Sequence, residues 1–165
     1  MITDPLPRVD VAHLPTPLEP LPRLSAYLKG PKLWVKRDDQ TGLATGGNKA
    51  RKLEFLVADA LAEEADTLIT CGAAQSNHAR QTAAAAAKCG LAAVLVLEGH
   101  SPSASRGNLL LDHLLGAELA WSGDDPPPER MEAVAQELRD RGRRPYLIPY
   151  GGSNRIGASG YAAAM

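Results

Sequence analysis

The segment Thr45-Gly46-Gly47-Asn48-Lys49-Ala50-Arg51-Lys52 sets three cations into what reads as the opening turn of a helix. Cations there oppose the helix dipole, so the arrangement costs stability and calls for another reason to exist. An amine held beside two like charges and the positive end of a helix binds its proton less tightly. More of it is then free near neutral pH, which is the condition for Lys49 to attack a carbonyl carbon and form a Schiff base. The competing reading is ordinary: Lys49, Arg51 and Lys52 as solvated surface charges. A phosphate-binding loop is rejected. Gly42 and Gly47 have its glycine spacing, but Asn48 intervenes before the lysine and Ala50 stands where Ser or Thr is needed.

A second segment, Cys71-Gly72-Ala73-Ala74-Gln75-Ser76-Asn77-His78-Ala79-Arg80, runs from a strand end into a helix start. Ser76 or Asn77 is a natural N-cap, and the ordinary reading is that one of them does only that. Yet Gln75, Ser76, Asn77 and His78 are consecutive hydrogen-bonding side chains at a helix terminus whose unpaired N–H groups favour an anion, such as a carboxylate. His78 lacks the clustered partners of a metal ligand, and Cys71 reads as a buried strand residue rather than a nucleophile paired with His78.

These loops need a scaffold, and the rest of the chain spells one out. Leu53, Leu56, Val57, Ala60 and Leu61 follow the offsets of one helix face, which predicts a helix from about Asn48 to Glu64. A strand Thr67–Cys71, a helix 76–88 stopped by Gly90, a strand Ala93–Leu97 and a helix 106–115 stopped by Gly116 follow. A strand Glu118–Trp121, a helix 128–141 stopped by Gly142 and a strand Tyr146–Ile148 complete the alternation. Strand and helix in turn with short connections predict an α/β fold, a parallel sheet with helices on both faces. Ahead of it, Leu33–Lys36 reads as a short strand. The proline-rich first thirty residues, with Pro5, Pro7, Pro15, Pro17, Pro20 and Pro22, read as an extended arm in which regular ladders are blocked. Gly151-Gly152-Ser153-Asn154 reads as a strand-to-helix turn, and the segment after it stops without a helix-ending signal.

Composition narrows the partners. The 165 residues are 44% hydrophobic and 22% charged with a formal net charge of −1, ordinary globular values without the basic excess of a nucleic-acid module. The longest strongly apolar run, Leu91 to Leu97, is too short to span a membrane. The first residues carry neither the basic start nor the apolar run of a secretory leader, so the expected location is cytoplasmic. Cys71 and Cys89 form no metal-binding spacing and are expected as reduced thiols.

Taken in order and spacing, the blocks Pro15-Thr16-Pro17-Leu18-Glu19, Lys36-Arg37-Asp38-Asp39, Gly46-Gly47-Asn48-Lys49, Arg51-Lys52-Leu53-Glu54-Phe55, Gln75-Ser76-Asn77-His78, Pro149-Tyr150-Gly151-Gly152-Ser153-Asn154 and Gly160-Tyr161 resemble a family. It is the D-cysteine desulfhydrase and 1-aminocyclopropane-1-carboxylate deaminase branch of the pyridoxal-phosphate-dependent lyases, of tryptophan-synthase-β-like fold (fold type II). The resemblance implies pyridoxal 5′-phosphate as cofactor, Lys49 as its Schiff-base lysine and proton shuttle, and Asn77 as hydrogen-bond partner of the cofactor ring hydroxyl. It implies that Ser76, Asn77 and His78 form the substrate-carboxylate site, Ser76 with a catalytic part, and that Asn48 lies beside the cofactor. The implied substrate is a small amino acid, D-cysteine or the cyclopropane amino acid; His78, where deaminase-like members are associated with glutamine, tilts towards desulfhydrase. A homodimer is implied, with neither nucleic acid nor membrane as partner.

The family's second half supplies a glycine-rich phosphate loop, a partner for the pyridine nitrogen and tyrosines near the substrate, none of which has a counterpart in these residues. The chain is therefore expected to be an N-terminal portion, lacking the C-terminal part of the larger domain. Residues 1–47 would form an arm and strand of that larger domain, 48–150 the smaller α/β domain, and 151–165 the start of the return into the larger one. Two readings compete: a catalytically silent fragment that associates through its arm and apolar surface, and an anion-binding protein that forms no Schiff base.

Overall fold

The computed structural model describes residues 6–164. The reading of the first five residues, Pro5 among them, and Met165 lie outside that range. Four strands, β3 (Thr67–Gly72), β4 (Ala92–Leu97), β5 (Glu118–Trp121) and β6 (Pro145–Ile148), form a parallel sheet in the order β5-β4-β3-β6. They alternate with helices α2 (Lys49–Ala62), α3 (Asn77–Lys88), α4 (Asn108–Leu114), α5 (Pro127–Asp140) and α6 (Arg155–Ala162). The expected elements lie within a few residues of their places.

The strands are buried on both sides, and side-chain alternation divides the core in two. Leu68, Ala93, Leu95, Leu97, Tyr146 and Ile148 face the layer of α2, α3 and α4. Ile69, Cys71, Val94 and Val96 face α5, where Met131, Val134, Ala135 and Leu138 close the opposite side. Helices thus cover both faces. On α2, Leu53, Leu56, Val57 and Ala60 are fully buried, but Leu61 is 40% exposed, contrary to the periodicity reading. It lies roughly 80° around the helix from Leu53, at the edge of the stripe in the last turn, where little is left to cover it.

The proline-rich arm also departs from expectation. It contains β1 (Leu18–Pro20), a helix α1 (Pro22–Leu28) and β2 (Trp34–Lys36), with β1 and β2 antiparallel. Proline does not forbid either element here. Pro22 sits in the first turn of α1, where no intrahelical N–H is required, and Pro20 lies on a two-stranded ribbon whose outer positions need no ladder donor.

The strand order fixes where a ligand can sit. From β3 the chain moves through β4 to β5, then α5 returns it across the other face to β6 on the far side of β3. The connections after β3 and β6 leave adjacent strands at the same edge of the sheet, and in parallel sheets ligands sit in the crevice outside the carboxyl ends of the strands where the strand order reverses. Helix α2 enters β3, so its N-terminus lies at that same edge.

Candidate active site

Three segments meet at the crevice: the start of α2, the start of α3, and the turn after β6. Gly151 and Gly152 form the seam, with φ of +64° and +61°. A Cβ on Gly151 would lie 3.8 Å from Cε of Lys49, and one on Gly152 would lie 3.3 Å from Cε1 of His78 and 3.5 Å from Cδ of Lys52. The turn thus packs between the two helix starts, and a side chain at Gly152 would crowd Leu56, whose Cδ1 would lie 3.0 Å from its Cβ, and the His78 ring. Beyond it Asn154 caps α6, accepting from the Gly157 N–H at 2.8 Å, so Gly151–Asn154 is the strand-to-helix turn that the sequence suggested.

Lys49 is half-buried, and its Nζ donates only to Oδ1 of Asn48, at 3.3 Å; among the described residues no carboxylate pairs with it. The three-cation cluster expected around it is smaller than the sequence suggested, and neither neighbour is a solvated surface charge. Arg51 is 4% exposed and turned away, its Nε and Nη2 donating to the two oxygens of Asp38 at 2.8 and 2.6 Å and Nη2 also to Thr16 Oγ1 at 2.9 Å. Its charge is therefore answered. Lys52 stays beside Lys49: burial, then the Lys49 charge, lowers its pKa, and its Nζ donates to Gly151 O at 3.0 Å and Ser153 Oγ at 2.9 Å. It also lies 5.7 Å from the Tyr161 ring centroid. Asn48 is exposed and donates from Nδ2 to the Tyr161 hydroxyl at 2.5 Å, joining the start of α2 to α6.

At the start of α3, Ser76 is the N-cap, its Oγ accepting from the Ala79 N–H at 3.2 Å. Capping uses a lone pair and leaves the hydroxyl proton free to donate. Asn77 is exposed with Oδ1 occupied, accepting from Arg80 Nη1 at 2.8 Å and Asn108 Nδ2 at 3.0 Å, while its Nδ2 has no protein partner among the described residues. His78 is placed differently from its neighbours. Its ring is 4% exposed, packed beneath the Gly152 turn, so what it presents at the helix terminus is its backbone N–H. The Thr70 hydroxyl donates to Ile148 O at 2.9 Å, so it must accept from His78 Nε2, also at 2.9 Å. That fixes the neutral Nε2–H tautomer and leaves Nδ1 a buried acceptor without a partner. Burial, then Lys49 and Lys52, holds the imidazole pKa down at about 3.

Gln75 works at the back of the loop. It donates from Nε2 to Arg106 O at 3.0 Å and accepts from the Asn108 N–H at 2.9 Å, clamping the loop after β3 to the one after β4. The sequence reading missed Asn108 and Arg80 altogether; the Gly107-Asn108 pair at a helix start was the available signal.

A lysine Nζ with no carboxylate partner among the described residues, an amide presenting only donor hydrogens, a free hydroxyl proton and a helix N-terminus without acidic residues in its first turn form a donor set for an aldehyde-bearing anion. Such a set fits pyridoxal phosphate: Lys49 would hold its aldehyde carbon and Asn77 Nδ2 would face an oxygen acceptor. Residues 9–165 match the family model described as pyridoxal-phosphate dependent enzyme, and the chain belongs to that family.

Within it, the chain is 53% identical over 161 residues to the D-cysteine desulfhydrase of Klebsiella pneumoniae (strain 342), and 51% identical over 161 residues to that of Salmonella paratyphi B. Each alignment takes in 94% of this chain and 49% of the relative, so the chain spans about half the length of these curated relatives. A solved structure described as an ACC deaminase homologue superposes with a TM-score of 0.89 at 44% identity, over 97% of this chain and 49% of that one.

Proposed function

We propose that the full-length protein is a pyridoxal-phosphate-dependent lyase that converts D-cysteine and water to pyruvate, ammonia and sulfide. The observation that carries this reading is the Lys49 amine, unpaired with any carboxylate among the described residues and separated from the α3 N-terminus by the Gly151–Gly152 turn. The 53% identity to a D-cysteine desulfhydrase supports the choice of substrate.

When bound, pyridoxal phosphate supplies an electron sink for charge developing at the substrate α-carbon. The chain's own residues would do the rest. Lys49 would hold the cofactor through its aldehyde carbon, and its Nζ would be the base that moves a proton at the substrate α-carbon. The free hydroxyl proton of Ser76 and the N–H groups at the start of α3 receive the substrate carboxylate. His78, neutral and buried, supports the turn that separates the two helix starts. The cationic pair Lys49 and Lys52 gives the crevice a charge suited to an anionic ligand.

The solved ACC deaminase homologue favours a second reading, ring opening of 1-aminocyclopropane-1-carboxylate to 2-oxobutyrate and ammonia. A homodimer in the cytoplasm belongs to the same proposal and rests on the sequence reading; among the described residues no helix is long and apolar enough to cross a membrane. The test is product analysis of the cofactor-loaded full-length protein offered each amino acid. Pyruvate and sulfide from D-cysteine, with no 2-oxobutyrate from the cyclopropane substrate, is the expected result. 2-Oxobutyrate alone would establish the second reading, and product from neither would overturn both.

A further inference from the structure

Beneath the loops after β3 and β4 lies a buried positive charge. Arg80, on the first turn of α3, is 5% exposed. Its Nη1 donates to Oδ1 of Asn77 and to Oδ1 of Asn108, each at 2.8 Å, and its Nη2 donates to the carbonyl of Gly46 at 2.7 Å. One planar fork therefore ties the loop that carries Asn77, the loop after β4, and the glycine three residues ahead of Lys49. Next to it, Gln81 donates to the Gly47 carbonyl at 3.0 Å. Gly46 has little room to move in response, since at φ +82° a Cβ there would lie 2.1 Å from the Asp39 carbonyl oxygen.

The chemistry of the fork dictates how Asn77 is turned. A guanidinium has five N–H donors and no acceptor, so only the amide oxygen of Asn77 can face it. The second donor at that oxygen, Asn108 Nδ2, is itself oriented because Asn108 Oδ1 faces Arg80 and Nδ2 also donates to Gln75 O at 2.7 Å. With its oxygen held twice, Asn77 can present only its amide hydrogens to the crevice. A loose asparagine would offer oxygen or nitrogen indifferently and lose entropy on choosing. The charge is kept in place at some cost: Nε of Arg80 and both carboxylate oxygens of the neighbouring Asp112, 1% exposed, have no hydrogen-bond partner among the described residues. A neutral side chain could not have made three such bonds from one plane, which is a reason to bury a guanidinium here.

We infer that Arg80 is a positioning residue: it locks the Asn77 amide with its donor hydrogens towards the cofactor and fixes the approach of the Lys49 loop to that same amide. The inference rests on the proposal that Asn77 meets pyridoxal phosphate, and it concerns how that donor is made obligatory. A donor at a ring oxygen favours the anionic form of that oxygen, so it lowers the pH at which the visible band of the bound cofactor changes. Loss of the donor, or of what aims it, raises that midpoint.

The experiment is a spectrophotometric pH titration of the full-length protein loaded with pyridoxal phosphate, in wild type, Asn77→Ala, Arg80→Met and the double variant. Asn77→Ala and Arg80→Met are each expected to raise the midpoint by about 1 pH unit, tenfold in proton affinity, with no further rise in the double variant, because both act through one hydrogen bond. Arg80→Met joined to Asp112→Asn removes the stranded carboxylate charge and is expected to give the same midpoint in a protein that folds without a net buried charge. A wild-type midpoint in the folded Arg80 variants, or shifts that add in the double variant, would overturn the inference while leaving the function proposed above intact. A wild-type protein with no cofactor band would overturn both, and is recognised before any variant is made.

Discussion

Acidification should set two buried groups of this fold against one another. His78 has its pKa depressed from 6.5 to about 3 by burial and by Lys49 and Lys52, so the stability it protects is complete above about pH 6.5 and is lost as pH falls towards 3. Asp112, buried without a hydrogen-bond partner, has its pKa raised from 3.8 to about 6; its contribution is complete below about pH 4 and is lost as pH rises through 6. Between about pH 7.5 and about pH 5, the unfolded imidazole takes up a proton that the folded one refuses, which costs about 2 kcal/mol of folding stability. Over the same interval the folded Asp112 is protonated ahead of the unfolded one and returns about 1 kcal/mol.

Wild type therefore loses about 1 kcal/mol to this pair, Asp112→Asn loses about 2 kcal/mol, and His78→Gln gains about 1 kcal/mol, relative to each protein's own stability at about pH 7.5. Other carboxylates titrate alike in all three, so the differences between the curves isolate the two groups. Urea unfolding followed by circular dichroism at both pH values is the assay. Parallel curves for wild type and Asp112→Asn, or an unchanged acid loss in His78→Gln, would refute the assignment of these groups as buried, with His78 neutral and the burial of Asp112 only partly offset by Arg80.

Two further outcomes follow from packing. Gly160→Ala puts a Cβ 2.1 Å from the Arg51 carbonyl oxygen and 2.8 Å from the Lys52 nitrogen, so α6 must move off α2; a loss of about 2 kcal/mol in urea unfolding is expected, against no loss if the helices are not in backbone contact. Arg51→Met removes both guanidinium bonds to Asp38, leaving that carboxylate the Thr16 hydroxyl at 3.3 Å, and should cost about 3 kcal/mol, read as a fall in Tm, with Arg51→Lys restoring little because an ammonium cannot span both carboxylate oxygens and the hydroxyl.

The sheet and its helices were legible because burial imposes a period. Leu53, Leu56, Val57 and Ala60 repeat as one helix face, and β3 and β4 sit as short apolar runs between turn residues. Pro22 misled because the same residue that breaks a ladder also begins a helix, and only the chain after it decides which. Lys49 stood out in the sequence because a cation at a helix start opposes the dipole, whereas Ser76 and Asn77, ordinary N-cap types, stood out only as members of the polar run Gln75–His78. The roles of Arg51 and Arg80 were not legible. On a helix, an arginine reads as surface unless its partner is known, and the partners here lie far away in sequence: Asp38 is 13 residues from Arg51, and Gly46 and Asn108 are 34 and 28 residues from Arg80. Such pairs are made by the order of the strands, which brings the loops after β3 and β4 to the edge where α2 begins. His78 shows the converse, a polar residue in a polar run whose ring is turned inward by the helix geometry that leaves Asn77 outside.

The most direct measurement is borohydride reduction of the full-length protein loaded with pyridoxal phosphate, followed by peptide mapping by mass spectrometry. A reduced phosphopyridoxyl group on Lys49, absent from Lys49→Ala, is the result expected from an amine that no carboxylate answers among the described residues. The same group on Lys52, or no covalent group at all, would contradict the assignment on which the site is built.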